Sequence, residues 1–163
     1  MYEIVFTDDQ VTPALNRVGA VLDDMTPAMQ ALAELWLVST QDRVERGEQP
    51  DGAPFAPRSP VTLERYAAQG FSFGRPLNRS GEMRQQFATE SGPDFFRIGS
   101  NAIQAAVMHF GASKGSLGST SKGGPIPWGD IPARPMFGVS DEDQTLFLAE
   151  LSEWLENAAE GHD

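Results

Sequence analysis

The chain has 163 residues, 40% hydrophobic and 21% charged, which predicts one ordered domain spanning residues 1–163. Its 23 acidic and 12 basic side chains give a formal net charge of −11, which disfavours general attraction to DNA or to anionic membranes. The absence of cysteine excludes disulfide scaffolds, thiol nucleophiles and cysteine-ligated metal centres, and no apolar run approaches the roughly 20 residues of a membrane-spanning helix.

The N-terminal third is predicted to be mainly helical. Residues 2–6 combine β-branched and aromatic side chains and predict a short strand. Two Thr-Pro pairs follow, at 12–13 and 26–27, where threonine can cap a helix and proline occupies its first position at no cost. Apolar residues at helical spacing then predict helices over about 13–24 and 27–46.

The middle of the chain is predicted to be rich in loops. Four prolines between residues 48 and 60 prevent regular backbone hydrogen bonding there. One or two helical turns are predicted over 62–68, and residues 87–91 and 95–99 predict a β-hairpin around a Gly-Pro-Asp turn. Residues 103–110 fit either a helix or a strand.

Glycine and serine dominate residues 111–130, which predicts a long, mobile loop, and loops of this length commonly have a function. Residues 134–139 predict a further strand. Ser140 precedes three acidic residues and predicts a helix start, because a hydroxyl cap and carboxylates meet the positive end of the helix dipole. Together the elements predict an α+β fold, with an antiparallel sheet packed by N-terminal helices and a C-terminal helix.

Charge is distributed unevenly along the chain. Residues 1–47 hold three basic and eight acidic side chains, residues 48–134 hold nine and seven, and residues 135–163 hold none and eight. Six arginines between Arg58 and Arg97 alternate with aromatic residues, a mixture that binds nucleic acid in some proteins. Arginine also suits salt bridges between subunits, and the net charge favours that role. A nucleic-acid-binding module remains the alternative.

No catalytic, metal or cofactor site is predicted. His109 lies among apolar residues and is expected to be packed and hydrogen-bonded beside Phe110. Nothing in the spacing of Ser100, His109 and Asp94 requires a catalytic triad, although a small hydrolase is kept as a second alternative. The glycine-rich loop lacks the spacing of a phosphate-binding loop.

Five motifs occur in an order that resembles the virion morphogenesis (tail completion) family of tailed bacteriophages, over roughly residues 12–157. They are PDGAPFAP at 50–57, LNRSGEMR at 77–84, IGSN at 98–101, HFG at 109–111 and IPARPMFG at 131–138. Two positions depart from the family pattern. Phe55 stands where tryptophan is usual, and residues 104–106 replace a Tyr-Ala pair before the histidine.

The resemblance implies a structural protein of the head–tail junction, which completes the tail or joins it to the DNA-filled head. It also implies a homo-oligomeric ring, a hexamer or dodecamer, around the DNA channel, without catalysis or cofactor. The implied partners are connector or adaptor proteins, tail tube proteins and passing DNA that is not read by sequence. The protein would be made in the host cytoplasm and reside in the virion. A transient assembly factor is an alternative.

Closed rings require one surface of a subunit to bind a different surface of its neighbour, and opposite charges can set that register. The candidate subunit-interface residues are Arg58, Arg79, Arg84, Leu117, Trp128 and Arg134. Arg134 is expected either to be a buried partner of a carboxylate or to contact a neighbour. The candidate acidic residues, which face the lumen or an outer docking surface, are Asp141, Glu142, Asp143, Glu150 and Glu153.

Overall fold

Helices form most of the regular secondary structure, and one β-hairpin forms the rest. The structure is a computed structural model and describes residues 10–71 and 74–161, so the strand predicted at 2–6 lies outside the described residues. The elements in chain order are α1 (Val11–Asp23), α2 (Thr26–Arg46), α3 (Pro60–Ala68), α4 (Glu82–Gln85), β1 (Phe87–Ser91), β2 (Phe96–Ser100), α5 (Ala105–Phe110) and α6 (Asp141–Glu160). The prediction of an α+β fold is confirmed.

Helix α2 is the central element of the fold. It packs against the β-hairpin and against α6, while α1 packs on α6. Arg17 of α1 donates to the carbonyl of Ala159, so α1 also holds the end of α6. Gly47 ends α2 with a φ of 75°, a left-handed conformation that glycine adopts without strain.

The hairpin and the loops around it close the hydrophobic core. Strands β1 and β2 pair antiparallel, with Phe87 opposite Ser100, which confirms the predicted hairpin. Phe87 packs edge-on against Phe137 with ring centroids 5.0 Å apart. The buried side chains of this core cluster come from α2, α4, β1, α5 and the loops between elements: Val44, Phe55, Met83, Phe87, Ala102, Ala105 and Met136.

Segment 134–139 was expected to be a strand, and that prediction is wrong. The segment is irregular because its backbone donors find other partners: the N–H of Arg134 donates to the carbonyl of Met108, and Pro135 has no N–H to donate. The N–H groups of Met136 and Phe137 point to Nδ1 of His109 at 3.1 and 3.5 Å. A side chain thus takes the place of a neighbouring strand.

The 111–130 loop is a long excursion whose two arms are hydrogen-bonded to each other. Ala112 bridges to Ile131 at its base, and the N–H of Leu117 donates to the carbonyl of Ile126 at 2.8 Å. Asp130 accepts a hydrogen bond from the backbone of Lys114 at 2.8 Å. The predicted mobility of this loop stays a prediction.

Helix α6 begins as the sequence indicates. Ser140 accepts a hydrogen bond from the N–H of Asp143 at 3.1 Å, and Asp143 accepts one from the N–H of Ser140 at 2.9 Å. This reciprocal pair is a capping box, which satisfies two backbone donors at the helix start. The cap also fixes where the side chain of Asp143 points.

Candidate interaction surfaces

Asp143 belongs to α6, but its side chain is buried between α6 and α2 and does not lie on the exposed acidic face of the helix. Its Oδ2 is 2.6 Å from Nη1 of Arg43, and both side chains are buried between α2 and α6. Ser39 donates to the other carboxylate oxygen. Burial alone raises the pKa of Asp143, but the hydrogen bonds from Ser140 and Ser39 and the charge of Arg43 together hold that pKa below its usual value.

The expectation that Asp143 faces a lumen or a partner is therefore wrong. Arg43 also donates to the carbonyl of Gly138 at 3.0 Å, and Trp36 donates to the same carbonyl at 3.1 Å. These contacts join α2, α6 and segment 134–139, which directly precedes the cap of α6. Asp143 is a structural residue, since it compensates a buried cation.

His109 is half-buried and packed as expected. It stacks on Phe137 with ring centroids 5.6 Å apart and meets Phe110 edge-on at 4.5 Å. Its Nδ1 accepts a hydrogen bond from the backbone of Met136, so that nitrogen carries no proton. Burial lowers the pKa of His109. The prediction of a packed, hydrogen-bonded histidine is confirmed.

Three of the candidate interface arginines line one pocket of about 510 Å³, which we call the arginine pocket: Arg58, Arg79 and Arg134. Within the described residues none of these guanidinium groups forms an ion pair, although Glu82 and Asp130 line the same pocket. The lining of the arginine pocket therefore holds three cations against two carboxylates, and no ion pair to these cations occurs in the part of the chain that the structure describes.

Arg134 lies at the buried side of this pocket and is only 6% exposed. It donates to the carbonyls of Ala56 and Pro57, both at 2.7 Å. Burial and the neighbouring charge of Arg58 both lower the pKa of Arg134. Arg134 is thus a buried residue of the fold. Its partners are backbone carbonyls, which corrects the expectation of a carboxylate partner or a free interface contact.

The arginines of the basic middle, inside and outside the arginine pocket, are largely engaged with their own chain. Arg84 pairs with Glu45 and lies outside the arginine pocket, and Arg97 pairs with Glu90 at 2.7 Å. Arg79 lies over the rings of Tyr66 and Phe71, at 5.5 and 5.2 Å from their centroids. A guanidinium therefore already contacts these rings, while Phe71 remains 47% exposed, so a nucleic-acid-binding module stays an alternative.

A second surface lies between α2 and α6 and is apolar with an acidic rim. We call it the acidic groove; its volume is about 430 Å³. Leu35, Val38 and Leu146 supply apolar side chains. Its rim holds four carboxylates against one cation, Arg46, which is itself paired with Glu48 at 2.8 Å. The four acidic lining residues are Glu34, Asp42, Glu142 and Glu150.

Only part of the acidic groove is predictable from the residues first singled out in the sequence. Glu142 and Glu150 were predicted as docking residues and line it, whereas Asp141 and Glu153 lie exposed on α6 outside it. The apolar side of the groove was not predicted, because the apolar residues of α2 were interpreted as a single stripe that faces the core. Apolar residues at 31, 35 and 38 form a second stripe at helical spacing, and this signal was available in the sequence.

Two exposed apolar side chains project from the 111–130 loop, and both were predicted as interface residues. Leu117 is 55% exposed and Trp128 is 75% exposed. They lie on facing arms of the loop, because Leu117 pairs with Ile126 and Gly115 pairs with Pro127. Exposed aromatic side chains of this kind are enriched at protein interfaces.

The described residues contain no group of three or more potential metal-ligating His, Cys, Asp or Glu side chains. None of the helices in residues 10–71 and 74–161 combines the length and apolar character that crossing a bilayer requires. The described residues present three candidate interaction surfaces: the arginine pocket, the acidic groove and the 111–130 loop with its exposed apolar side chains.

The five motifs agree with a comparison against known families. The model of the phage virion morphogenesis family matches residues 6–156. The chain belongs to the phage virion morphogenesis family. A relative from Escherichia phage Mu, named "Putative capsid assembly protein G", is 32% identical over 138 residues, and the match covers 83% of each chain. No solved structure matches the chain.

Membership of the phage virion morphogenesis family confirms the resemblance predicted from the five motifs. It gives the chain a structural or assembly role in the making of a phage virion, within the host and together with other virion proteins. The pocket, groove and loop are therefore candidate contacts with such proteins or with further copies of the chain.

Proposed function

We propose that this member of the phage virion morphogenesis family is a structural protein of the head–tail junction. It completes the tail or joins it to the DNA-filled head, as one subunit of a ring around the DNA channel. In this proposal its neighbours are connector or adaptor proteins and tail tube proteins. It performs no catalysis and needs no cofactor, because its work is to hold protein surfaces together.

The observation that carries the proposal is the pair of oppositely charged surfaces. The arginine pocket and the acidic groove share no lining residue, so one copy can use both at once. When one surface binds a different surface of the next copy, the contact repeats and closes into a ring if the rotation allows. Charge complementarity then sets the register of neighbouring copies.

Exposed carboxylates on α6 suit a position close to DNA that must slide. Asp141 and Glu153 are exposed and do not line the acidic groove. Carboxylates repel phosphates, so such a wall would not retain the passing DNA. The same residues suit an outer docking face, and locating α6 in density of intact particles distinguishes the two positions.

The test uses phage in which the gene for this chain carries a nonsense mutation. We expect filled heads and tails to accumulate unjoined in a non-permissive host, and purified chain to restore joining. Mass spectrometry of mature wild-type particles is expected to detect the chain. Joined, infectious particles made without the chain would contradict the proposal.

The name of the Mu relative contains the word assembly, and the alternative role is an assembly factor that leaves before maturation. That alternative predicts the same unjoined heads and tails without the chain, but no chain in mature particles. Quantifying the chain in purified virions therefore decides between a resident subunit and a transient factor.

A further inference from the structure

The acidic groove is an apolar surface with charge of one sign around it. Val38 is 57% exposed, and Leu146 is also exposed. The volume of about 430 Å³ lies within the range of about 300–1,000 Å³ that is usual for binding pockets. Such a surface fits an occupant that is apolar at its tip and cationic beside it.

The 111–130 loop has both properties. Leu117 and Trp128 are exposed apolar side chains, and Lys114 and Lys122 add positive charge close by in the sequence. Neither lysine forms an ion pair within the described part of the chain. The carboxylate of Asp130, the acidic residue of the loop, is engaged by the backbone of Lys114.

The loop does not fill the groove of its own chain, since no residue of the loop lines it. We infer that the 111–130 loop of one copy inserts into the acidic groove of a second copy. Trp128 and Leu117 contact the apolar side chains of the groove, and Lys114 and Lys122 lie against its carboxylate rim. The inference rests on the proposed assembly of identical copies and names the contact that joins them.

With the loop inserted in this way, the arginine pocket is part of the same interface. Asp130, Ile131 and Pro132, at the base of the loop, line that pocket. A neighbour whose groove holds the loop therefore brings its acidic α6 close to arginines that form no ion pair within the described residues. The loop supplies the apolar contact, and the pocket supplies charge attraction beside it.

The test exploits the absence of cysteine, because single introduced thiols can be cross-linked without background. Gly129→Cys marks the loop beside Trp128, at a position where an added Cβ has no neighbouring atom within 4 Å. Val38→Cys marks the groove. Chains carrying one change each, distinguished by a mass tag, are mixed and oxidised. The control pairs Val38→Cys with Ile103→Cys, a position that is 98% exposed.

We expect a disulfide-linked heterodimer from the pair with cysteines at 129 and 38, and little cross-linked heterodimer from the control pair.

A second measurement uses sedimentation velocity on the full chain. Trp128→Ala is expected to weaken self-association at least roughly 30-fold, as for an aromatic residue at the centre of an interface. Ile103→Ala, at an even more exposed position, is expected to leave self-association unchanged. Circular dichroism checks that both variants fold.

Charge exchange tests the lysines separately. Lys122→Glu is expected to weaken self-association roughly two- to fivefold, and adding Glu142→Lys in the mixed partner is expected to restore part of the loss. Equal cross-linking in both cysteine pairs, or a chain that stays monomeric at its highest attainable concentration, would overturn the inference. The nonsense-mutant phage experiment is independent of it, so the junction role can stand while this contact fails.

Discussion

At the scale of single residues, the strongest constraint is the buried pair of Arg43 and Asp143. Two charges are removed from water, and their burial is tolerated because each has a partner and several hydrogen bonds. Removing one partner leaves the other charge buried without compensation.

We expect Asp143→Ala to destabilise the folded chain by about 3–5 kcal/mol. The matched control is Asp141→Ala, at the exposed start of the same helix, which is expected to cost less than about 1 kcal/mol. Urea denaturation followed by tryptophan fluorescence measures both. Equal effects of the two changes would contradict the role assigned to Asp143.

His109 makes stability depend on pH. Its pKa is lowered in the fold, so below about pH 6.5 the unfolded chain binds the proton more readily than the folded chain does. Stability is therefore expected to be greatest above that pH and to fall as the pH drops towards the lowered pKa.

His109→Gln keeps a hydrogen-bond acceptor near Met136 but does not titrate. We expect the variant to lose part of the decline in melting temperature between about pH 7 and pH 5. Thermal melts of both proteins across this range are the measurement. Parallel curves for wild type and variant would show that another group controls the decline.

At the scale of elements, the capping box decides where α6 begins. Ser140→Ala removes the acceptor for the N–H of Asp143, and we expect a loss of about 0.5–2 kcal/mol. Ser152→Ala in the middle of α6 removes a side chain that only bonds the carbonyl of Leu148. That control is expected to be neutral or slightly stabilising. Chemical denaturation compares them, and a neutral Ser140→Ala would refute the cap.

Arg134 joins two irregular segments, 54–57 and 131–138, that lack regular secondary structure of their own. Charge-assisted hydrogen bonds contribute about 1.5–3 kcal/mol each, so we expect Arg134→Ala to lower the melting temperature clearly. Arg134→Lys keeps the charge without the planar fork and is expected to recover part of the loss. An unchanged melting temperature with lost self-association would assign Arg134 to an interface instead.

At the scale of the whole molecule, net charge and local charge act in opposite directions. The net charge of −11 makes copies repel one another, whereas the arginine pocket, loop lysines and acidic groove attract. Salt screens contacts between exposed charges, with a Debye length near 10 Å at 0.1 M and 3 Å at 1 M. The effect of salt on self-association therefore shows whether the net repulsion or the local attraction between copies is larger.

We expect self-association to weaken as sodium chloride rises from about 0.1 to 1 M, because docking brings opposite charges closer than the net charges. Sedimentation velocity at several salt concentrations measures this. Self-association that strengthens steadily with salt would show that net repulsion, relieved by screening, governs the contact between copies.

The sequence by itself determined the features that depend on neighbouring residues. The helix start at Ser140 and the hairpin were predicted because caps and turn residues act locally. Apolar spacing predicted the two N-terminal helices, whereas the predicted threonine caps were wrong, because Thr12 and Thr26 lie within α1 and α2 and neither helix has a side-chain cap. The order of motifs across residues 50–138 was enough to indicate the phage virion morphogenesis family. The gathering of three arginines into one pocket did not follow from their spacing.

Only the tertiary structure decided which charged residues are surface and which are core. Asp143 and Glu142 are adjacent in the sequence, yet one is buried against Arg43 and the other lines an open groove. Segment 134–139 has the composition of a strand but binds His109 and Met108 instead. Such outcomes depend on partners about 30 to 100 residues away, and no local pattern encodes where those partners will lie.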